Sequence, residues 1–344
     1  MILSRICLRV IQKIHYLFNT IKYIAEKEGK ADLQVFIKEK SRLPRYVIKD
    51  LSRSVKVNSK FLAGTRIEFE TEKKSLRIQV FYSYRSILSH MPTTGTSGID
   101  VYIKTDNGYT WKKCISPQNE LQMYCEGRVF FEDGRKTLCI YYPSFAVIKH
   151  ILVDDKDIKL ITNKNNDIVM YGSSITHGCA ATRPGLVISN LLQRIMGCNV
   201  LNFGLSESAK GEISIIKYIA GLGAKIIILE YDHNATCNEL KNSHLNVYKT
   251  IRKVTDCWII LMSRFSGGLS ITEAEENERR NIIRDTYTFA LTKGDKKISY
   301  IDGKLLFDEN KCDYFVDGIH PNDLGIHYIV ERIADEIKKR RMME

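Results

Sequence analysis

The chain has 344 residues, of which 44% are hydrophobic and 27% charged, a balance that suits folded globular domains and excludes a disordered or fibrous chain. That length allows two domains, each with a sizeable core. Lysine and arginine exceed aspartate and glutamate by 52 to 40, a net charge of +12; the excess favours anionic partners in general, but it is spread along the chain, so a nucleic-acid partner is not expected.

Residues 2–24 are rich in apolar side chains, yet Arg5, Arg9, Lys13, His15 and Lys22 interrupt them. A signal-peptide core or a membrane span would lack those charges. Their spacing predicts a basic amphipathic helix within 1–29. Packing of its apolar face on the protein is the ordinary expectation, and peripheral contact with an anionic membrane surface is the alternative. A cytoplasmic location follows as the expectation, with peripheral attachment to a membrane through this helix as the alternative.

Residues 30–162 read as a β-domain. Arg66-Ile67-Glu68-Phe69-Glu70, Leu76-Arg77-Ile78-Gln79-Val80 and Ile99-Asp100-Val101-Tyr102-Ile103 alternate with period two, the signature of half-buried strands. Turn signals stand at Thr94-Gly95, Ser97-Gly98, Asn107-Gly108 and Asp133-Gly134. Short strands at this spacing predict a β-sandwich. Tyr102, Tyr109 and Trp111 are offered for stacking on sugar rings, with core and cross-strand pairing the more ordinary use.

After the polar stretch Asn163-Lys164-Asn165-Asn166 the pattern changes, and residues 163–344 form the third zone. Apolar runs at 168–170, 200–203, 226–229, 258–262 and 298–301 alternate with helical segments over 185–196, 208–220, 239–254 and 273–291. A last helix begins near Asn322, and its basic end, 338–341, suits the helix dipole. Alternating strands and helices predict an α/β fold: a flavodoxin-like, doubly wound parallel sheet of five strands. Arg183-Pro184 reads as a helix start. Nine cysteines with no CxxC pair argue against a zinc ribbon or a disulfide framework, and read as buried free thiols.

In such sheets ligands bind beyond the carboxyl ends of the strands. After the first run comes Gly172-Ser173-Ser174-Ile175-Thr176-His177-Gly178, where glycines permit a tight turn that exposes a hydroxyl. It is neither GxGxxG, nor a P-loop, nor GxSxG. After the second comes Asn202-Phe203-Gly204-Leu205-Ser206-Glu207-Ser208, and after the third Glu230-Tyr231-Asp232-His233-Asn234. Before the last helix stands Asp317-Gly318-Ile319-His320. A histidine there can take a proton from a serine hydroxyl, and the aspartate three residues earlier can hold the ring and stabilise its cation. Asn234 can donate its amide to a developing oxyanion.

These four blocks, in this order, resemble the SGNH/GDSL hydrolase superfamily from about residue 167 to the C-terminus. The resemblance implies Ser174 as nucleophile, with Asp317 and His320 completing the triad. It further implies an oxyanion hole from the backbone N–H of Ser174, the backbone N–H of Glu207 and the amide of Asn234, with no metal and no organic cofactor. Ser173 replaces the aspartate of the family's name. Glu207 replaces the usual glycine of the second block; its N–H survives, and its carboxylate must point away from the oxyanion. The β-domain resembles the jelly-roll-like module that precedes the hydrolase domain in some carbohydrate esterases of the superfamily. An esterase that removes acyl groups, acetyl first among them, from a carbohydrate is therefore expected. An O-acetyltransferase acting on a surface polysaccharide with the same triad, and a non-catalytic carbohydrate-binding module, are the rival readings. His177 and His233 are candidates for the substrate pocket. A metal site that joins them to Asp232 and His320 lacks the HxxxH or HxH spacing such sites use.

Overall fold

The computed structural model describes residues 29–36, 41–162, 165–265, 271–307 and 311–344. Apart from Gly29, the expected N-terminal helix lies outside the described residues. The chain divides into two compact units. Among the described residues, no helix is long and apolar enough to cross a membrane. No described cysteine forms a disulfide; five are buried, and Cys312 is exposed.

The first unit is built of antiparallel strands. They are β1 (Ala31–Asp32), β2 (Arg66–Thr71), β3 (Ser75–Arg85), β4 (Ile99–Thr105), β5 (Gly108–Ile115), β6 (Tyr124–Phe130), β7 (Lys136–Tyr141), β8 (Ala146–Val153) and β9 (Lys159–Ile161). Two sheets result, in the orders β1-β8-β3-β6 and β5-β4-β7-β2-β9. The alternation read from the sequence is visible in β2, where Ile67, Phe69 and Thr71 are buried and their neighbours are not. Asn107-Gly108 closes the β4–β5 hairpin with Gly108 at φ +110°, a backbone that favours glycine. Thr94-Gly95, expected as a turn, lies instead in a short helix, Thr93–Ser97.

The aromatics offered for sugar stacking are used internally. Tyr102 is buried, Tyr109 donates to Glu68 Oε1 at 3.1 Å, and Trp111 donates its indole N–H to buried Asp100 at 2.8 Å while remaining 47% exposed. Thr182–Gly185 belongs to this unit. Arg183 is not simply a helix start: its guanidinium pairs with Asp100 at 2.7 Å and lies 5.0 Å from the Trp111 ring centroid.

The second unit holds a wholly parallel sheet of β10 (Ile168–Gly172), β11 (Val200–Gly204), β12 (Ile226–Glu230), β13 (Trp258–Met262) and β14 (Ile298–Ile301). Its order is β11-β10-β12-β13-β14. This is the doubly wound arrangement expected from the five apolar runs. Alternate strand residues feed two cores, as a sheet buried on both faces requires. Val169, Tyr171, Ile227, Leu229, Ile259 and Leu261 belong to one. Ile168, Met170, Ile226, Ile228, Ile260 and Met262 belong to the other.

Each core is covered by helices. A single-turn helix α1 (Ser174–His177) is followed by α2 (Ile188–Met196), α3 (Ile213–Ala220), α4 (Cys237–Arg252), α5 (Glu273–Thr292) and α6 (Asp323–Lys339). Ile188 and Leu192 of α2 and Ile326, Ile329 and Ile333 of α6 fill the second core. Ile215 and Ile219 of α3, Val247 and Ile251 of α4 and Ile283 of α5 fill the first. Each such side chain contributes roughly 1.5–3 kcal/mol on burial. Start signals sit at the helix ends: Thr236 and Glu239 form a capping box on α4, and Asn322 caps α6.

One boundary departs from the expected 30–162. Ser41–Gly64 packs with the second unit, because its short helices Arg45–Ile48 and Arg53–Asn58 place Leu43, Val47, Ile48 and Val55 in the first core beside Val169 and Phe203. Its one alternating run, Ser54 to Asn58, is helical all the same, with Ser52 capping the turn and Val55 packed into the core.

Candidate active site

The strand register brings the site together. Gly172 of β10 stands level with Gly204 of β11 and Glu230 of β12. Three of the four sequence blocks therefore leave the sheet at the same edge.

The first block turns at once into α1. Ser173 caps that turn, its hydroxyl accepting from Ile175 N–H at 3.1 Å. Gly178 ends the turn at φ +108°, in the left-handed region where a side chain would be strained. Ser174, the first helical residue, is 6% exposed.

The fourth block supplies its partners. His320 Nε2 lies 2.9 Å from Ser174 Oγ, and His320 Nδ1 lies 2.8 Å from Asp317 Oδ2. Asp317 Oδ1 also accepts from the backbone N–H groups of His320 at 2.8 Å and Ile319 at 3.0 Å. Burial opposes ionisation of Asp317, but hydrogen bonds from the His320 ring and from these two N–H groups outweigh it and hold the carboxyl below its usual range. The turn is closed by Val316 N–H donating to His320 O at 3.0 Å and is pinned by Asn322, whose amide donates to Asp313 O at 2.7 Å. With Nδ1–H held by the carboxylate, Nε2 is left to accept from the Ser174 hydroxyl.

The oxyanion candidates come from three blocks. Among the described residues, neither Ser174 N–H nor Glu207 N–H makes a hydrogen bond. Glu207 has φ +59° and an exposed side chain. The left-handed backbone accounts for glycine as the usual residue of the second block, and here an exposed glutamate adopts it. Asn234 donates one amide hydrogen to Leu205 O at 2.9 Å, which orients the amide and leaves its second hydrogen free to donate.

A dense frame holds these loops. Asn202 donates to Thr176 O at 2.6 Å and Ser189 Oγ at 2.9 Å, and accepts from Gly204 N–H at 2.8 Å. A Cβ on Gly204 would collide with the backbone of His177 and Thr176. Half-buried Arg42 donates to Asn202 O and Oδ1, both at 3.0 Å, and to Gly204 O at 2.7 Å. Burial lowers its pKa to about 9. Asn58 donates to Ser206 O at 2.7 Å. In the third block Asp232 pairs with Arg279 at 2.9 Å and accepts from Arg264 N–H at 2.7 Å, while Arg279 also donates to the carbonyls of Asp232 and Ala235. Sequence reasoning missed Arg42, Asn58, Glu230 and Arg279. Of these Glu230 alone carried a local signal, a carboxylate directly after the apolar run 226–229.

The two histidine candidates differ. His177 is fully buried, and its Nδ1 accepts from Ser206 N–H at 3.2 Å. It braces the second block from within, so the expectation of a pocket residue is corrected for His177. His233 accepts from Phe265 N–H at Nε2, at 3.2 Å, which leaves its Nδ1 buried and without a hydrogen-bond partner. Burial, aided by the positive charges of Arg264 and Arg279, drives its pKa well below the usual value. Asp232 is committed to Arg279 and to the Arg264 backbone, and His320 to Asp317 and Ser174, so the metal grouping weighed from the sequence finds these donors already engaged.

A serine, a histidine and an aspartate in hydrogen-bond sequence, at the carboxyl edge of a five-stranded parallel sheet, define the class as a serine hydrolase of the SGNH type. The chain belongs to the GDSL-like lipase/acylhydrolase family, whose model matches residues 165–338, and it is an esterase-type enzyme. Residues 21–157 match the GxDLY domain, the N-terminus of SGNH-hydrolase-type esterases. Among solved structures, the chain is similar to a protein from Bacteroides ovatus ATCC 8483 classed as a GDSL-like lipase, with 22% identity, 90% of this chain and 97% of that one covered, and a TM-score of 0.81. The salicylyl-acyltransferase SsfX3 of a tetracycline biosynthetic pathway gives 16% identity, 87% and 89% coverage, and a TM-score of 0.72. An active-site mutant of a family two carbohydrate esterase from Clostridium thermocellum gives 13%, 81% and 92%, and 0.59. No curated protein matches the chain.

Proposed function

We propose that this chain hydrolyses acyl esters, acetyl esters first among them, on a carbohydrate through an acyl-enzyme at Ser174. The observation that carries the proposal is the run Ser174 Oγ–His320 Nε2 at 2.9 Å and His320 Nδ1–Asp317 Oδ2 at 2.8 Å. Ser174 Oγ attacks the ester carbonyl as His320 takes its proton, and Asp317 stabilises the imidazolium. The N–H groups of Ser174 and Glu207 and the Asn234 amide donate to the oxyanion. His320 then returns the proton to the leaving sugar hydroxyl. Water, deprotonated by the same histidine, releases the acid. His233, neutral and with a buried Nδ1 that lacks a partner, is a candidate to hydrogen-bond the substrate. Likeness in fold to a carbohydrate esterase supports the choice of substrate.

The second reading is acyl transfer, in which an acceptor hydroxyl replaces water. It is favoured by the likeness in fold to an acyltransferase that covers both units. Acetate release from an acetylated saccharide, measured with and without an acceptor sugar, separates the two. Transfer that outruns hydrolysis selects the second reading. Failure of a fluorophosphonate probe to label Ser174 in the folded protein rejects both.

A further inference from the structure

Glu230 ends β12, the central strand, and is 2% exposed. Among the described residues, its hydrogen-bond donors all belong to Ser173 and Thr176, which bracket the nucleophile within its turn, and none is an arginine or lysine. Ser173 donates its hydroxyl to Oε1 at 2.8 Å and Oε2 at 3.0 Å, and its N–H to Oε2 at 3.2 Å. Thr176 donates its hydroxyl at 2.6 Å and its N–H at 3.2 Å, both to Oε2. The backbone adds a tie from Ser173 N–H to Glu230 O at 3.1 Å. Space for the carboxylate exists because residue 172 is glycine; a Cβ there would meet Oε2 at 2.7 Å and run into Thr176.

A buried carboxylate without a cation is costly. Burial pushes Glu230 up to about 7, against the lowering effect of the Thr176 and Ser173 donors. What the side chain supplies is an acceptor at the right reach: Oε2 alone accepts from two hydroxyls and two N–H groups, which an amide oxygen in the same place keeps and a shorter or apolar side chain does not. Ser174 lies between the two residues so held. Its Oγ must meet His320 Nε2, and its N–H must face the oxyanion. A displacement of about 1 Å in such a group costs about 100-fold in rate.

We propose that Glu230 is a positioning residue of the active site, which takes all its hydrogen bonds from Ser173 and Thr176 and so fixes the turn that aims Ser174 at His320. The inference rests on the serine-esterase reading above. The test compares Glu230→Gln, Glu230→Asp and Glu230→Ala with the wild type. p-Nitrophenyl acetate turnover and the rate of fluorophosphonate labelling are measured well below each melting temperature. Glutamine keeps the reach, can accept through its oxygen and can donate to the Ser173 hydroxyl, so its kcat should stay within about threefold. Aspartate is too short to reach and alanine accepts nothing; each should lose about 100-fold in kcat, with KM within twofold and labelling slowed in parallel. If the alanine variant does not fold, the aspartate variant carries the test.

The proposal is overturned if the folded aspartate or alanine variant keeps kcat within threefold. It is equally overturned if the loss appears in KM alone, or if glutamine loses as much as alanine. A wild type that neither turns over ester nor takes the probe would instead reject the serine-esterase reading itself.

Discussion

Asp317→Asn isolates the charge of the triad from its geometry. The amide oxygen can keep the two backbone bonds that Asp317 Oδ1 now accepts, from Ile319 and His320. The amide nitrogen then faces His320 Nδ1, where the carboxylate oxygen stood at 2.8 Å. Two N–H groups cannot bond, so the ring prefers the tautomer with its proton on Nε2, and Ser174 loses its acceptor. The imidazolium formed during attack also loses its counter-charge. An ion pair at 4 Å is worth about 1 kcal/mol in bulk water and about 4 kcal/mol at an effective dielectric of 20. With the Asp317 side chain 34% exposed and that of His320 16% exposed, screening keeps the charge effect between these limits. Together with the tautomer effect, kcat should fall roughly 100- to 1,000-fold at nearly constant KM. Circular dichroism should show an intact fold. The stability that Asp317 contributes is present above the ordinary carboxylate range and is lost as pH falls through its lowered folded pKa, so wild type and variant should converge in stability in acid. A folded variant within threefold of wild-type kcat would refute the assignment of His320 as base and Asp317 as its partner.

Further expectations concern the frame. Glu207→Gly relieves a left-handed backbone but frees the unfolded chain, so stability should change by no more than about 1 kcal/mol. Its kcat should stay within threefold; a tenfold rise would show that the carboxylate does act on the oxyanion. Gly204→Ala drives a Cβ into the backbone of His177 and Thr176, which cannot swing aside. Thermal unfolding should show a loss of at least about 2 kcal/mol, with the esterase rate falling too. Arg279→Leu leaves Asp232 buried and unpaired, a cost of about 3–5 kcal/mol and a drop of roughly 10 °C in melting temperature. For Glu230, a folded pKa of about 7 against an ordinary 4.5 means that the native state holds a proton the unfolded chain has released. Its share of stability therefore falls as pH rises from about 4.5 to 7, by about 3 kcal/mol. Denaturant titrations at several pH values should show that slope in the wild type and its loss in Glu230→Gln.

Much of the second unit was legible in the chain because its forces are local and periodic. The five apolar runs became the five strands, as a sheet buried on both faces demands. Asn322, where the last helix was expected to begin, stands at its start because its side chain can take up an orphan N–H group. Ser174, Asp317 and His320 were readable as candidates because each sits just beyond an element end, where the chain must turn. By contrast, β-alternation could not show that 41–64 packs with the other unit, since that depends on which core its short helices meet.

Of the serine turn and its partners, then, the residue types, their order and the strands they follow could be read from the chain without its fold. Only the three-dimensional packing set the left-handed backbone of Glu207, the bracing of the second block by His177 from within, the unpartnered nitrogen of His233, and the hold of Arg42 and Glu230 on the second block and the nucleophile turn. These are hydrogen bonds between residues tens to more than a hundred positions apart. A buried arginine or glutamate is stable only where the fold delivers enough partners to offset its lost hydration, and no local pattern in the chain records where those partners will stand.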